Sequence, residues 1–379
     1  MKKTACYIHI PFCDHKCIYC DFYSIITTDN VESFLTCLKK EISHYAEKYS
    51  DDRELISIFF GGGTPSLMEP DYISEIINNI KEKFKVISIA EITLETNPGT
   101  ISLDKLKKFR QAGINRISIG VQSFDNDDLK FLTRIHNSEL AKKTVNDAVE
   151  AGFNNISLDL IFNLPGQTKE KWEKNLEQAV QLPINHISTY SLILERGTIL
   201  NKMVLDGTVK IADEDYDAEL YEKTIDFLTS NGFYQYEVSN FTKPGFECIH
   251  NNAYWHYTDY LGFGTSAHSF VDGKRWWNLS SLKMYNDKIQ NEGNAVAGLE
   301  NIDAEKALNE YIMLELRSSG IDLKNLKNRF GTESSEWLKK NYPYFEMLKE
   351  KNFVMIDDVS VKLTSRGYAV CDEILSEIL

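Results

Sequence analysis

Tyr7-Ile8-His9-Ile10-Pro11-Phe12-Cys13-Asp14-His15-Lys16-Cys17-Ile18-Tyr19-Cys20-Asp21-Phe22 is the stretch from which the chain is read outward. Three cysteines at C-x3-C-x2-C spacing put three soft thiolates on one tight loop, directly after a strand-like run from Thr4 to Ile10. Thiolate sulfur suits zinc or iron–sulfur clusters. A structural zinc site normally closes with four protein ligands, and no fourth cysteine or histidine stands at a matching spacing. His15 is nearest, but it lies inside the loop between two of the cysteines. Three readings follow: a redox pair of Cys17 and Cys20, a zinc loop, or a cubane cluster with one iron left open to a ligand from outside the protein.

Composition narrows the class. At 379 residues the chain has room for a large domain and a smaller one. Hydrophobic residues make up 42%, ordinary for a soluble protein with a real core. Lys+Arg 42 against Asp+Glu 56 leaves −14, which argues against a broad phosphate-binding surface and so against nucleic acid. The opening Met-Lys-Lys precedes an apolar run that is short and interrupted by His9, Pro11 and Cys13, so no secretory h-region is expected. No stretch approaches the ~20 apolar residues of a spanning helix. Seven cysteines in a chain of this length read as reduced thiols of a cytoplasmic protein, with Cys6, Cys37, Cys248 and Cys371 as buried bystanders.

Hydrophobic periodicity alternates between strand and helix. Helices are expected over 31–49, around Ile73, Ile76, Ile77, Ile80 and Phe84, and over 103–112. Three more are expected around Leu140, Ala141, Val145, Ala148 and Val149, over 169–181 and over 215–230. Strands are expected over 54–60, 90–95, 116–122, 155–164, 186–194 and 232–241. This rhythm calls for a parallel sheet covered by helices, with chemistry at the carboxyl ends of the strands; alternation alone does not separate a partial barrel from a full barrel or a doubly wound sheet. Beyond residue 300 the pattern changes to helices over 305–317 and 333–351, two short strands over 353–356 and 359–363, and a last helix from Ser365. Two or three helices with a small hairpin suggest a winged-helix-like module; acids outnumber bases there, which favours a structural or substrate-covering role over DNA binding.

The cysteine triplet, with Tyr19 before its last member, resembles the signature of the radical S-adenosylmethionine (SAM) superfamily, in which SAM chelates the open iron of a [4Fe–4S] cluster. The wider string Tyr-Ile-His-Ile-Pro-Phe-Cys resembles the oxygen-independent coproporphyrinogen III dehydrogenases and the HemW-type heme chaperones. The resemblance implies a partial (β/α)6 barrel over residues 1–240, an extension over 241–299, and a winged-helix-like α+β domain over 300–379. It implies Cys13, Cys17 and Cys20 as cluster ligands. Gly61-Gly62-Gly63-Thr64-Pro65 follows a strand, where missing side chains let backbone approach a ligand. No Lys-Ser or Lys-Thr follows, so it is no P-loop. By resemblance Gly62, Gly63 and Thr64 face SAM, with Tyr7, Tyr19, Glu95, Gln122, Arg134 and Asp159 as further contacts. Carboxylates suit the ammonium and hydroxyls of SAM, and an arginine suits its carboxylate. In the superfamily a reduced cluster passes one electron to the sulfonium, and a 5′-deoxyadenosyl radical then abstracts hydrogen.

Three features discriminate within the group. The dehydrogenases carry a further cysteine two residues after the triplet, where this chain has Phe22, and a longer N-terminal arm. His250-Asn251-Asn252-Ala253-Tyr254-Trp255 fits the H-N-x-x-Y-W pattern associated with heme binding in the chaperones. Imidazole is a usual axial ligand of heme iron, and Tyr254 and Trp255 offer flat faces to a macrocycle; His256 and His268 are the alternative ligands. His268 lies in a glycine-rich segment, 261–269, expected to be a tight loop near the barrel mouth. The resemblance therefore implies a heme chaperone with heme, apo-hemoprotein acceptors and an electron donor for the cluster as partners, and leaves peripheral membrane contact open. The rivals are a coproporphyrinogen III dehydrogenase and a radical SAM enzyme acting on another substrate.

Overall fold

Residues 4–10 are nearly all buried, on both faces of the strand they form. That is the environment of a central strand in a parallel sheet, not of a half-exposed antiparallel one. In the computed structural model, which describes residues 1–27 and 29–379, this strand, β1 (Lys2–Ile10), heads a parallel series. It is followed by β2 (Arg53–Gly62), β3 (Lys85–Thr96), β4 (Arg116–Gln122), β5 (Ile156–Phe162) and β6 (His186–Ser191). The strands stand in sequential order 1-2-3-4-5-6. A doubly wound sheet would reverse direction at a switch point, so that alternative is excluded. The crossovers carry α1 (Val31–Tyr49), α2 (Pro70–Lys83), α3 (Leu103–Gln111), α4 (Asn126–Phe131), α5 (Ser138–Glu150) and α6 (Lys169–Val180).

The sheet does not close. After α7 (Ile199–Leu205) and α8 (Glu214–Ser230), the free edge of β6 takes the short antiparallel pair β7 (Tyr234–Gln235) and β8 (Asn240–Thr242). The continuous strand expected over 232–241 is thus a small hairpin. Glu237 breaks it: its buried carboxylate turns back to accept from Ser239 N at 2.9 Å and from the Asn240 side chain. Then α9 (Ile249–Trp255) precedes β9 (Tyr260–Phe263), which pairs parallel to β1 on the opposite edge. β10 (His268–Val271), β11 (Lys274–Asn278), α10 (Leu282–Glu292) and β12 (Val296–Asn301) extend that edge, completing a 12-stranded sheet. Arg53, at the start of β2, is 1% exposed and anchors this extension, bonding Asp259 at 2.8 Å and also Asp272.

The two faces of β2–β6 differ chemically. Ile58, Phe60, Ile92, Leu94, Ile117, Ile119, Leu158 and Leu160 face the helices and join one large core. The alternate positions (Ser57, Glu91, Thr93, Glu95, Arg116, Ser118, Asp159, His186 and Ser188) point to the other face. The interior is therefore polar, with a floor at the amino ends of the strands and a mouth at their carboxyl ends. On α5 the buried stripe is Ala141, Thr144, Val145 and Ala148, while Val149, expected on that face, is exposed.

A second core gathers Leu308, Tyr311, Ile312, Leu316, Trp337, Phe345 and Ile374 with Tyr257 and Phe270. It is built by α11 (Ala304–Leu316), β13 (Ile321–Asp322), α12 (Leu323–Glu350), β14 (Val354–Ile356), β15 (Ser360–Leu363), α13 (Ser365–Ala369) and α14 (Cys371–Ile378). The expected hairpin is a three-stranded sheet in the order β13-β15-β14. Among the described residues no helix is long and apolar enough to cross a membrane.

Candidate functional site at the barrel mouth

The cysteine loop leaves β1 and is tied down from several sides. Cys13 N donates to Ile25 O at 2.9 Å, and Ile25 N donates to Pro11 O at 2.8 Å, so the loop closes on itself. Gly63 N donates to Ile10 O and Thr64 N to Phe12 O, each at 2.8 Å, zipping the glycine segment onto the loop's start. From the far side Ile18 N donates to Thr133 Oγ1 at 3.2 Å, and Leu200 N donates to Ile18 O at 2.9 Å. Cys13, Cys17 and Cys20 are each half-buried. Burial pushes the Cys13 and Cys20 thiols up, and each also feels the neighbouring thiols of the triplet.

The glycine triplet is required by what packs on it. Gly62 has φ +107°, and an added Cβ would stand 2.7 Å from the His9 ring. At Gly63 a Cβ would meet Phe12 O at 2.5 Å. His9 is buried between Tyr23 O, 2.9 Å from Nε2, and Tyr7 OH, 3.2 Å from Nδ1. A carbonyl only accepts, so Nε2 carries the proton and Nδ1 accepts from Tyr7. Burial lowers the His9 pKa to about 4 and keeps the ring neutral.

Glu95 and Asp159 face each other across the interior. Burial, then the Asp159 charge, raises Glu95 to about 8, while the Gly62 N–H pulls it down. Asp159 is also raised by burial, opposed by the Ser188 and Ser118 hydroxyls and by Arg116; Ser118 Oγ donates to it at 3.2 Å. Two desolvated carboxyl groups that face one interior and feel each other's charge favour a cation there. Arg134 Nη1 approaches Cys17 Sγ at 3.6 Å, and its Nη2 donates to Asn97 Oδ1 at 2.6 Å and Gly120 O at 2.7 Å. Its buried Nε has no partner. Gln122 sits at φ 68° beside this group. Gly120 leaves room for all three side chains, since a Cβ there would lie 2.9 Å from both Asn97 Oδ1 and Gln122 Nε2. Tyr19 packs against Leu132, Ile161 and Leu164, and burial raises its phenol beside Arg134 and Cys17.

Tyr7, Tyr19, the three cysteines, Gly62, Gly63, Thr64, Glu95, Gln122, Arg134 and Asp159 thus share one mouth. The expected heme residues lie elsewhere. His250, in α9, is buried toward the floor, with Nδ1 3.0 Å from Ser57 Oγ and Nε2 2.9 Å from Tyr254 OH. It stacks on Phe59 at a centroid distance of 4.8 Å. Burial, then Arg116, lowers its pKa to about 3. The start of α9 is held by Glu91, which accepts from Ile249 N and His250 N, each at 3.2 Å, and pairs with buried Arg116 at 3.8 Å. Trp255 is half-buried. His256 Nδ1 lies 3.3 Å from Glu315 Oε1, which raises its pKa, and it borders a cavity of about 600 Å³ with Tyr311, Asp322 and Arg329. His268 is exposed and stacks on Trp277 at 5.9 Å. Its segment turns at Gly264, where a Cβ would stand 2.5 Å from His9 O.

Asn97, Gly120, Arg116, Ser118 and Ser188 were not singled out from the sequence as site residues. For Asn97 a signal existed, since it follows Glu95 at a strand end and precedes Pro98. The others declare themselves only through the inward alternation.

Comparison with known proteins shows the family and the fold. The radical SAM superfamily model matches residues 7–179, and the HemN C-terminal domain model matches residues 302–370. The heme chaperone HemW of Bacillus subtilis is 35% identical, over 100% of this chain and 99% of the relative. The chain belongs to the HemW-type radical SAM proteins. HemW of Escherichia coli is 35% identical over 84% of this chain and 83% of its own. The mitochondrial radical S-adenosyl methionine domain-containing protein 1 of Danio rerio is 33% identical over 100% and 87%. Escherichia coli coproporphyrinogen III oxidase has the same fold, with a TM-score of 0.85 at 24% identity over 100% of this chain and 90% of that one. Membership in the superfamily implies a [4Fe–4S] cluster and SAM, and the donor set suits both: three thiols on one loop, paired carboxylates, and an arginine with a spare buried N–H.

Proposed function

We propose that the protein is a cytoplasmic heme chaperone, which binds heme and hands it to apo-hemoproteins. The observation that carries this reading is the H-N-x-x-Y-W helix, in a chain related over its full length to proteins named heme chaperones. Phe22 supports it, standing exposed where the dehydrogenases have their extra cysteine. Residues 1–240, 241–299 and 300–379 are taken as barrel, heme-binding extension and covering domain.

At the mouth, Cys13, Cys17 and Cys20 would hold the cluster. Tyr7, Tyr19, Gly62, Gly63, Thr64, Glu95, Gln122, Arg134 and Asp159 would surround SAM. When bound, the two groups supply one-electron chemistry at a sulfonium. The chain's own part is to offer two carboxylates to the cationic end of SAM, to present Arg134 to an anionic group, and to keep His9 neutral behind the glycine segment.

Heme is cargo in this reading, and His250 is its assigned ligand. Both His250 nitrogens are bonded, so ligation at Nε2 requires Tyr254 to swing away; the freed phenol and Trp255 then offer flat faces to the macrocycle. A specific observation favours His256 as the second choice. Its Nδ1 is oriented by a buried carboxylate, the arrangement that fixes imidazole ligands at metal sites. An anaerobic heme titration of the cluster-reconstituted protein, followed at the Soret band, separates the two. His250→Ala is expected to weaken saturable binding at least tenfold while His256→Ala leaves it unchanged. The opposite pattern moves the ligand to His256, and no saturable binding by the native chain removes the chaperone reading.

A further inference from the structure

Two of the three cysteine sulfurs are joined through the protein by a continuous run of hydrogen bonds. Thr64 Oγ1 lies 3.1 Å from Cys13 Sγ, and Asn97 Nδ2 lies 3.0 Å from Thr64 Oγ1. Asn97 Oδ1 lies 2.6 Å from Arg134 Nη2, and Arg134 Nη1 lies 3.6 Å from Cys17 Sγ. The direction of each bond follows from Arg134. A guanidinium only donates, so the Asn97 amide turns its oxygen to Arg134 and its NH2 to Thr64. The Thr64 oxygen accepts from Asn97, and the hydroxyl proton is left for Cys13.

The backbone of Asn97 is fixed separately from its amide. Its main-chain carbonyl oxygen accepts from Thr100 N at 3.1 Å and Thr100 Oγ1 at 2.7 Å, which forms the turn before α3. The side chain takes no part in that turn. Nor does it cap α3, whose N-cap is Ser102, accepting from Lys105 N. The ordinary uses of an Asn-Pro pair are thus met without the amide.

We propose that Asn97 is a positioning residue that aims the Thr64 hydroxyl at the Cys13 sulfur and so sets how readily a cluster held there takes up an electron. The inference rests on Cys13, Cys17 and Cys20 being the cluster ligands. Hydrogen bonds to cysteine sulfur spread the charge gained on reduction and raise the potential. Thr64 and Arg134 act on two of the three sulfurs, and Asn97 couples them.

The test is a redox titration of anaerobically reconstituted protein, read from the electron paramagnetic resonance signal of the reduced cluster, with iron and sulfide assayed for each variant. Thr64→Val and Asn97→Leu are each expected to lower the ratio of reduced to oxidised cluster at a fixed poise about fivefold, one hydrogen bond's worth. The double variant is expected to fall no further than either single one, because both changes remove the same bond. Thr64→Ser, which keeps the hydroxyl, is expected to keep the native potential. If Asn97→Leu does not fold, the Thr64→Val and Thr64→Ser pair decides alone. Unchanged potentials at full iron and sulfide content overturn the relay while leaving the ligands in place, and so do strictly additive losses. Failure of the native chain to assemble any cluster overturns the ligand reading and the relay with it.

Discussion

Glu41 shows how much one side chain can organise. It is fully buried on α1 and accepts from Tyr285 OH at 2.6 Å, Asn278 Nδ2 at 2.6 Å and Gly264 N at 2.9 Å. All three donors belong to the extension, so this carboxyl fastens β9–β11 and α10 to the first helix. Burial raises it to about 7, against the pull of its three donors. The folded value lies above the unfolded one, so the stabilising contribution is complete below about pH 4.5. It is lost as pH rises through about 7, where the buried group must ionise. Glu41→Gln is expected to flatten this decline, worth on the order of 3 kcal/mol, in urea unfolding measured from pH 4.5 to 8. Parallel pH profiles for the two proteins would rule out Glu41 as the source.

At the scale of elements, α12 carries a break that decides its shape. Gly331, at φ 57° and ψ −125°, is not helical, and two helices meet there. An added Cβ would touch nothing within 4 Å, so Gly331→Ala meets only backbone strain. It is expected to cost about 1–3 kcal/mol, seen as earlier unfolding of the C-terminal core by hydrogen exchange; an unchanged exchange pattern would contradict this. The same glycine explains what periodicity could and could not reveal. It reads as a stop, so the sequence indicates a helix from Glu333 and hides the piece beginning at Leu323. β1 to β6 were legible because their helix-facing positions are almost all apolar, mostly Ile, Leu and Phe, and α1 because its apolar stripe is unbroken. Within β3 the alternation Glu91, Thr93, Glu95 is visible in the chain, but only Glu95 stands out, by its place at the strand end. The floor was illegible for a different reason. Arg116, His186, Tyr236 and Cys248 are far apart in sequence, and only the fold joins them, as in the 2.8 Å bond between His186 Nε2 and Tyr236 OH.

Across the whole molecule, one polar interior has a cluster of polar and ionisable side chains at each end. The cysteines, Glu95, Asp159 and Arg134 surround the mouth, while the H-N-x-x-Y-W helix is built into the floor through Glu91, Ser57 and Phe59. Tyr7 spans the two: its ring lies 6.2 Å from that of His250, and its edge lies 3.0 Å from the position a Gly61 Cβ would take. A ligand that displaces His250 is therefore expected to loosen Ser57 on β2, which leads into the glycine segment, and Tyr7 on the neighbouring β1. Bound heme and bound SAM are then expected to change each other's affinity by the same factor, and equal heme affinities with and without SAM would contradict this. The most direct test of the account is heme delivery. Cluster-reconstituted protein, loaded anaerobically with one equivalent of heme and freed of excess, is mixed with an apo-hemoprotein while the Soret band is followed; a parallel reaction holds coproporphyrinogen III, SAM and reductant. Passage of heme to the acceptor, with coproporphyrinogen III left intact, is the predicted result. Heme that stays on the chain, or turnover of coproporphyrinogen III, would contradict the account.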